Sequence, residues 1–209
     1  MSDQDKNASS TNDSNTNNTE CEDIRTISEV LPEYNGDFAK LMDRLDPSLC
    51  ETIYVRTGPM SSGKTTQLIT KCIELELQDV PCIILRSTVD NRSAAGTVQS
   101  ATGQTKLCYC CTNLMQDTNA FDYIVRNAQV IFIDEAQFFG EELVEFCMKM
   151  AHTHRKSVWV YGLNGDSDRQ VFGYIYKLMP LWTEHRTLSG YVHLYGFYYS
   201  FPLTFLYCL

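Results

Sequence analysis

The stretch GPMSSGKTTQLI (58–69) runs a glycine-rich turn into a lysine and two threonines, and VIFIDEAQFF (130–139) ends an apolar run on two adjacent carboxylates. Both patterns suit phosphate chemistry. Gly58, Gly63, Lys64 and Thr65 fit G-x-x-x-x-G-K-S/T. In that pattern backbone N–H groups close round phosphate oxygens across Pro59, Met60, Ser61 and Ser62, and the following helix turns its positive end to the anion. Lys64 reaches the outer phosphates and the Thr65 hydroxyl ligates Mg²⁺. A chance glycine-rich turn is the bland alternative, but here a strand pattern precedes the loop and a helix pattern follows it.

Asp134 and Glu135 fall where a buried strand ends, the edge at which open α/β sheets bind ligands. Asp134 suits Mg²⁺, held through water opposite Thr65. Glu135 is then free to take a proton from an attacking hydroxyl or water. An N-cap role for the same pair stays open, because a helical stretch follows. Two enzyme classes share these motifs. In a small-molecule kinase, Glu135 deprotonates an acceptor hydroxyl; in a DEAQ-type ATPase it orients water. A helicase core needs a second such domain and a nucleic-acid surface, neither of which is visible, so the kinase is favoured.

The elements that must position these residues follow from hydrophobic rhythm. ETIYVRT (51–57), PCIILRS (81–87), VIFID (130–134) and SVWVYG (157–162) read as strands. VIFID has no polar alternation, as a strand covered on both faces requires. Leu68, Ile69, Cys72, Ile73 and Leu77 form one expected helix face, and Leu143, Val144, Phe146, Cys147, Met150 and Ala151 another. Strands alternating with helices predict an α/β fold of the P-loop NTPase type, a parallel sheet flanked by helices.

The chain has 209 residues, 44% of them hydrophobic, which suits one core with tails. A net charge of −9 argues against a nucleic-acid coat or an anionic membrane surface as partner. Nine cysteines and a polar N-terminus without an apolar leader imply reduced thiols in the cytoplasm. Residues 1–22, rich in Asn, Ser, Thr and Asp, read as a disordered tail. Residues 23–50 read as an extension with a short helix over 37–46, carrying Phe38, Leu41, Met42 and Leu45. Cys108 and Cys111 make one C-x-x-C, half of a tetrahedral metal site; with no second pair in view they read as buried or incidental thiols.

Taken together, GPMSSGKTT, the Asp90 and Arg92 of VDNRS, VIFIDEAQFF and GLNGDSDRQVFG (162–173) resemble the type II thymidine kinases, the cytosolic and viral family. The resemblance covers roughly 51–181, a P-loop thymidine-kinase-like domain. It implies transfer of the γ-phosphate of Mg·ATP to the 5′-hydroxyl of thymidine, with Glu135 as the base. It adds Asp90 and Arg92, with Ala136 and Gln137 beside Asp134 and Glu135, to the cofactor-binding set of residues 58–65. Met60, Phe138, Leu163 and Phe172 match the pocket for the thymine ring, where an apolar slot with an aromatic face is what a flat base needs. It also implies a homo-oligomer, tetramer or dimer. Zinc is expected for the family, bound by two Cys-x-x-Cys pairs flanking a loop over the nucleoside. The tail 182–209 has no cysteine before Cys208, so no complete zinc site is predicted. Ser167 and the run Asp168 to Gly173 also depart from the family's pattern. An ATP-binding remnant without turnover and an apolar tail anchor over 188–209 stay open.

Overall fold

The computed structural model describes residues 51–194 and 197–201, apart from 91, 93, 95 and 164; over 191–201 it describes the backbone only. The expected disordered tail and the helix over 37–46 lie outside the described residues.

The elements are β1 (Thr52–Thr57), α1 (Lys64–Glu76), β2 (Cys82–Ser87), β3 (Thr97–Gln99), β4 (Thr105–Leu107), β5 (Tyr109–Cys111), α2 (Thr118–Asn127), β6 (Val130–Asp134), α3 (Glu142–Met148), β7 (Ser157–Gly162), β8 (Glu184–Thr187), β9 (Gly190–Leu194) and β10 (Phe197–Phe201). One six-stranded sheet runs β5-β2-β6-β7-β1-β8, and every pairing in it is parallel. The four strands expected from the sequence form its centre. β6 is buried along its whole length.

Period-two alternation sorts side chains between the two faces. Ile83, Leu85, Ile131, Ile133, Val158 and Val160 face a layer that includes Ile124 of α2 and Leu143, Phe146 and Cys147 of α3. Ile84, Val130, Phe132 and Tyr161 face α1 through Leu68, Ile69, Cys72 and Leu75. The Phe132 ring is fully buried, and burial on that scale contributes about 1.5–3 kcal/mol.

The expected α1 face needs correction. Leu77 lies past the helix end and is 82% exposed, and Ile73 is half-exposed. Leu75 takes their place, since positions 68, 72 and 75 share one stripe at helical spacing. The expected helix through Ala151 is α-helical to Met148 and continues as a π-helical turn over Lys149–Thr153.

Several features lie outside the sequence-based elements, among them the edge strand β5. A β3–β4 hairpin crosses beside the sheet. α2 is capped by the Asp117 carboxylate, which accepts from Ala120 N–H at 3.0 Å. β8 adds to the sheet edge through β1, so the sheet continues past the expected boundary at 181. Beyond β8 the chain forms an antiparallel β9–β10 hairpin, and no helix among the described residues is long and apolar enough to cross a membrane.

Candidate active site

Because the six strands are parallel, Thr57, Ser87, Asp134 and Gly162 all end at one edge, and the loops that leave them meet there. The phosphate loop bridges β1 and α1. It is closed so tightly that a Cβ on Gly58 would stand 2.5 Å from Ser62 Oγ and 2.7 Å from the Leu188 carbonyl oxygen. Leu188 N–H in turn donates to Thr57 O at 2.7 Å. The segment after β8 therefore buttresses the loop from outside. Lys64 is buried, and its ammonium donates to the Gly58 and Pro59 carbonyls at 3.0 and 2.7 Å. Burial lowers its pKa, and the charges of Glu135 and Asp134 oppose that shift.

Asp134 ends β6 beside α1. Its Oδ2 accepts from the Thr65 hydroxyl at 3.2 Å. Its Oδ1 is buried with no hydrogen-bond partner among the described residues, as is Ser62 Oγ. Burial, then the adjacent Glu135 charge, pushes the Asp134 carboxyl up to about 7. A bare carboxylate oxygen next to a threonine hydroxyl and a phosphate loop fits Mg²⁺, which is held by one or two carboxylates together with phosphate oxygens. Among the described residues no cluster of three or more His, Cys, Asp or Glu side chains could hold a metal by itself.

Glu135 takes the left-handed backbone conformation, φ 49°, as the chain turns out of β6 into a 3-10 turn over Ala136–Phe138. It makes no side-chain cap to that turn. The carboxylate is instead held by Arg92 Nη2, 2.5 Å from Oε1, and by Gln137 Nε2, 2.5 Å from Oε2. Arg92 also grips Asp90, Nε to Oδ1 at 2.8 Å and Nη2 to Oδ2 at 3.2 Å. Burial opposes ionisation of Asp90, but its hydrogen bonds and proximity to Arg92 prevail and its pKa falls.

Thr65, Asp90, Arg92, Asp134 and Glu135 line one cavity of about 180 Å³. Val98 to Ala101, on the β3–β4 hairpin, form its wall. Arg86 completes it and was not among the expected residues. It is buried at the end of β2, in register with Asp134, and its Nη1 donates to Thr97 O at 2.6 Å. The only sequence signal for it is one arginine closing the apolar run CIIL.

The expected base pocket is partly assembled. The Phe138 and Phe172 rings meet edge to face, 5.7 Å apart at 87°. Leu163 begins the loop after β7, and its N–H donates to Gln137 Oε1 at 2.9 Å. Ala136, the first residue of the turn, is fully buried. Met60 stands 54% exposed at the tip of the phosphate loop. Cys108 is buried, with its sulfur 3.8 Å from that of Cys110, and Cys111 is half-buried.

An all-parallel sheet with a phosphate loop after β1 and an acidic pair after β6 sets the chain among the P-loop α/β proteins. More narrowly, it belongs to the thymidine kinase family, whose model matches residues 51–190. It is 36% identical over 157 residues to thymidine kinase a of Arabidopsis thaliana, covering 74% of this chain and 64% of that protein. It is 41% identical over 128 residues to the thymidine kinase of Amsacta moorei entomopoxvirus, covering 59% and 68% respectively. It is 34% identical over 132 residues to the cytosolic thymidine kinase of Gallus gallus, covering 62% and 55%. The chain thus spans less than two-thirds of the Arabidopsis and chicken proteins.

Proposed function

We propose that the chain is a thymidine kinase, moving the γ-phosphoryl group of ATP to the 5′-hydroxyl of thymidine. The observation that carries this reading is the gathering of Thr65, Asp134, Glu135 and Arg92 round one cavity at the mouth of the phosphate loop. Family membership supports thymidine as the acceptor.

Glu135 takes the proton of the 5′-hydroxyl as the oxygen attacks the γ-phosphorus. The bond from that phosphorus to the β,γ-bridging oxygen breaks, leaving ADP and thymidine monophosphate. A carboxylate has about four acceptor positions. Arg92 and Gln137 occupy two, so proton acceptance remains open. Lys64 and Arg92 supply positive charge to the phosphate oxygens. Such catalysis is mostly positioning and charge neutralisation. Thr65 and Asp134 would hold Mg²⁺, which supplies further neutralisation of the phosphates when bound. Phe138, Phe172, Leu163 and Met60 would receive the base. A homo-oligomer, tetramer or dimer, working in the cytoplasm is part of the same proposal.

The test is transfer of labelled γ-phosphate from ATP to thymidine, beside deoxycytidine, deoxyguanosine and no acceptor, with Glu135→Gln as control. Thymidine-dependent product that disappears in the control supports the reading. ATP binding with no nucleoside product would leave a nucleotide-binding relative without turnover. ATP hydrolysis indifferent to nucleosides would point to the ATPase.

A further inference from the structure

We propose that Gln137 is the positioning residue of this site, pinning the Glu135 carboxylate and coupling it to the acceptor pocket. The proposal rests on the reading of Glu135 as the base.

Gln137 is buried to 3% exposure in the 3-10 turn after β6. Its amide makes two hydrogen bonds in opposite directions: Oε1 accepts from Leu163 N–H at 2.9 Å, and Nε2 donates to Glu135 Oε2 at 2.5 Å. The orientation of the amide is dictated by chemistry. A backbone N–H can only donate, so the oxygen must face Leu163. The NH₂ end must then face Glu135, and it has no lone pair to offer, so Glu135 Oε2 is bound as an acceptor.

The terminal torsion of a glutamate is soft and broadly two-fold. A donor on one oxygen alone would leave the carboxylate free to swing. Arg92 holds Oε1, but its side chain is 51% exposed and reaches in from a loop. Gln137 is the buried anchor of the pair.

The surroundings are shaped to this residue. A Cβ on Gly162 would stand 2.7 Å from Gln137 Oε1. A Cβ on Gly173 would stand 2.9 Å from Gln137 Cα. Gly162 ends β7 and Gly173 follows Phe172, so one end of the segment that carries Leu163 and Phe172 packs on the Gln137 amide and the other on its backbone. Movement of that segment, as when a nucleoside seats against it, is transmitted through one amide to the base.

Two variants separate this role from simple packing. Gln137→Met keeps length and removes both hydrogen bonds. Gln137→Glu keeps an acceptor for Leu163 N–H but sets a second carboxylate against Glu135. Each is assayed as the full chain for kcat, KM for thymidine, KM for ATP and thermal unfolding, beside Glu135→Gln. In both Gln137 variants kcat is expected to fall roughly 10- to 100-fold, the scale of a small misplacement of a reacting group, with KM for ATP within about twofold. A Gln137→Glu protein with parental kcat overturns the proposal, because the Leu163 bond alone would then suffice. If Gln137→Met fails to fold, Gln137→Glu decides by the same criterion. Full activity in Glu135→Gln would instead remove the base itself, and this proposal with it.

Discussion

The Arg92 guanidinium joins two carboxylates from different parts of the chain, Asp90 before β3 and Glu135 after β6, with Nη2 2.5 Å from Glu135 Oε1. A planar fork makes that bridge; a point charge on a flexible stem does not. Arg92→Lys is therefore expected to lower kcat/KM for thymidine by roughly 100-fold, below the full value of a phosphate-directed arginine because one positive charge remains. Steady-state kinetics decide it, and parental kcat/KM in the lysine variant would remove Arg92 from the reaction.

Lys64 is held inside the phosphate loop by two carbonyls. Its replacement by Met removes a charge-assisted hydrogen bond of about 1.5–3 kcal/mol. Affinity for a non-hydrolysable ATP analogue should fall roughly 10- to 150-fold by that energy. Calorimetric titration reads the change, and unchanged affinity would mean the loop does not grip phosphate.

The Phe138 and Phe172 rings meet edge to face. Such a pair contributes about 0.5–1.5 kcal/mol beyond its buried area, so Phe172→Ala should raise KM for thymidine roughly two- to tenfold. KM for ATP should stay put, because Phe172 does not line the cavity of Thr65, Asp90 and Asp134. A rise in the ATP value instead would relocate the pocket.

Gly173 has φ +67° and packs directly on the Gln137 backbone. Gly173→Ala forces a side chain into the left-handed region and into contact with Gln137. The expected destabilisation is about 1–3 kcal/mol. Urea unfolding tests it, and a loss below a few tenths would show that the two segments part easily.

His185 accepts or donates a bond to Thr57 Oγ1 at 2.8 Å, directly beside the phosphate loop. Burial first, then Arg56, lowers its pKa below the ordinary 6.5; burial, then Lys156 and Lys149, does the same to His154. A histidine with a depressed folded value binds its proton more readily when unfolded. Stability from these groups is therefore full above pH 6.5 and declines as pH falls through 6.5 toward their lower folded values. The drop in melting temperature between pH 7.5 and 5.5 should be smaller in a His154→Gln, His185→Gln double variant. An identical drop would show that neither ring titrates as described.

Much of this site was legible because its parts are contiguous in sequence. The phosphate loop needs its glycines, lysine and threonine within one turn, so a short pattern carries it. VIFID had to be a central strand, since only a position covered on both faces tolerates five apolar-to-acidic residues without polar alternation. The same run placed Asp134 and Glu135 at a carboxyl edge. Less was legible where polarity hides an element. β8 reads EHRT, with no apolar face, yet it joins the sheet because β1 offers an open edge, and so brings Leu188 against the loop.

Residue types, motif spacing and the alternation of buried strands thus determined the α/β class, the phosphate loop and the acidic pair. Tertiary structure alone decided the partners: Arg92 on Glu135, Gln137 between Glu135 and Leu163, Arg86 in register with Asp134, and the β3–β4 hairpin as a wall. These contacts join residues on separate strands and loops. Periodicity reports which face of an element is buried, whereas the packing of the sheet and its two layers sets which distant side chains share that burial.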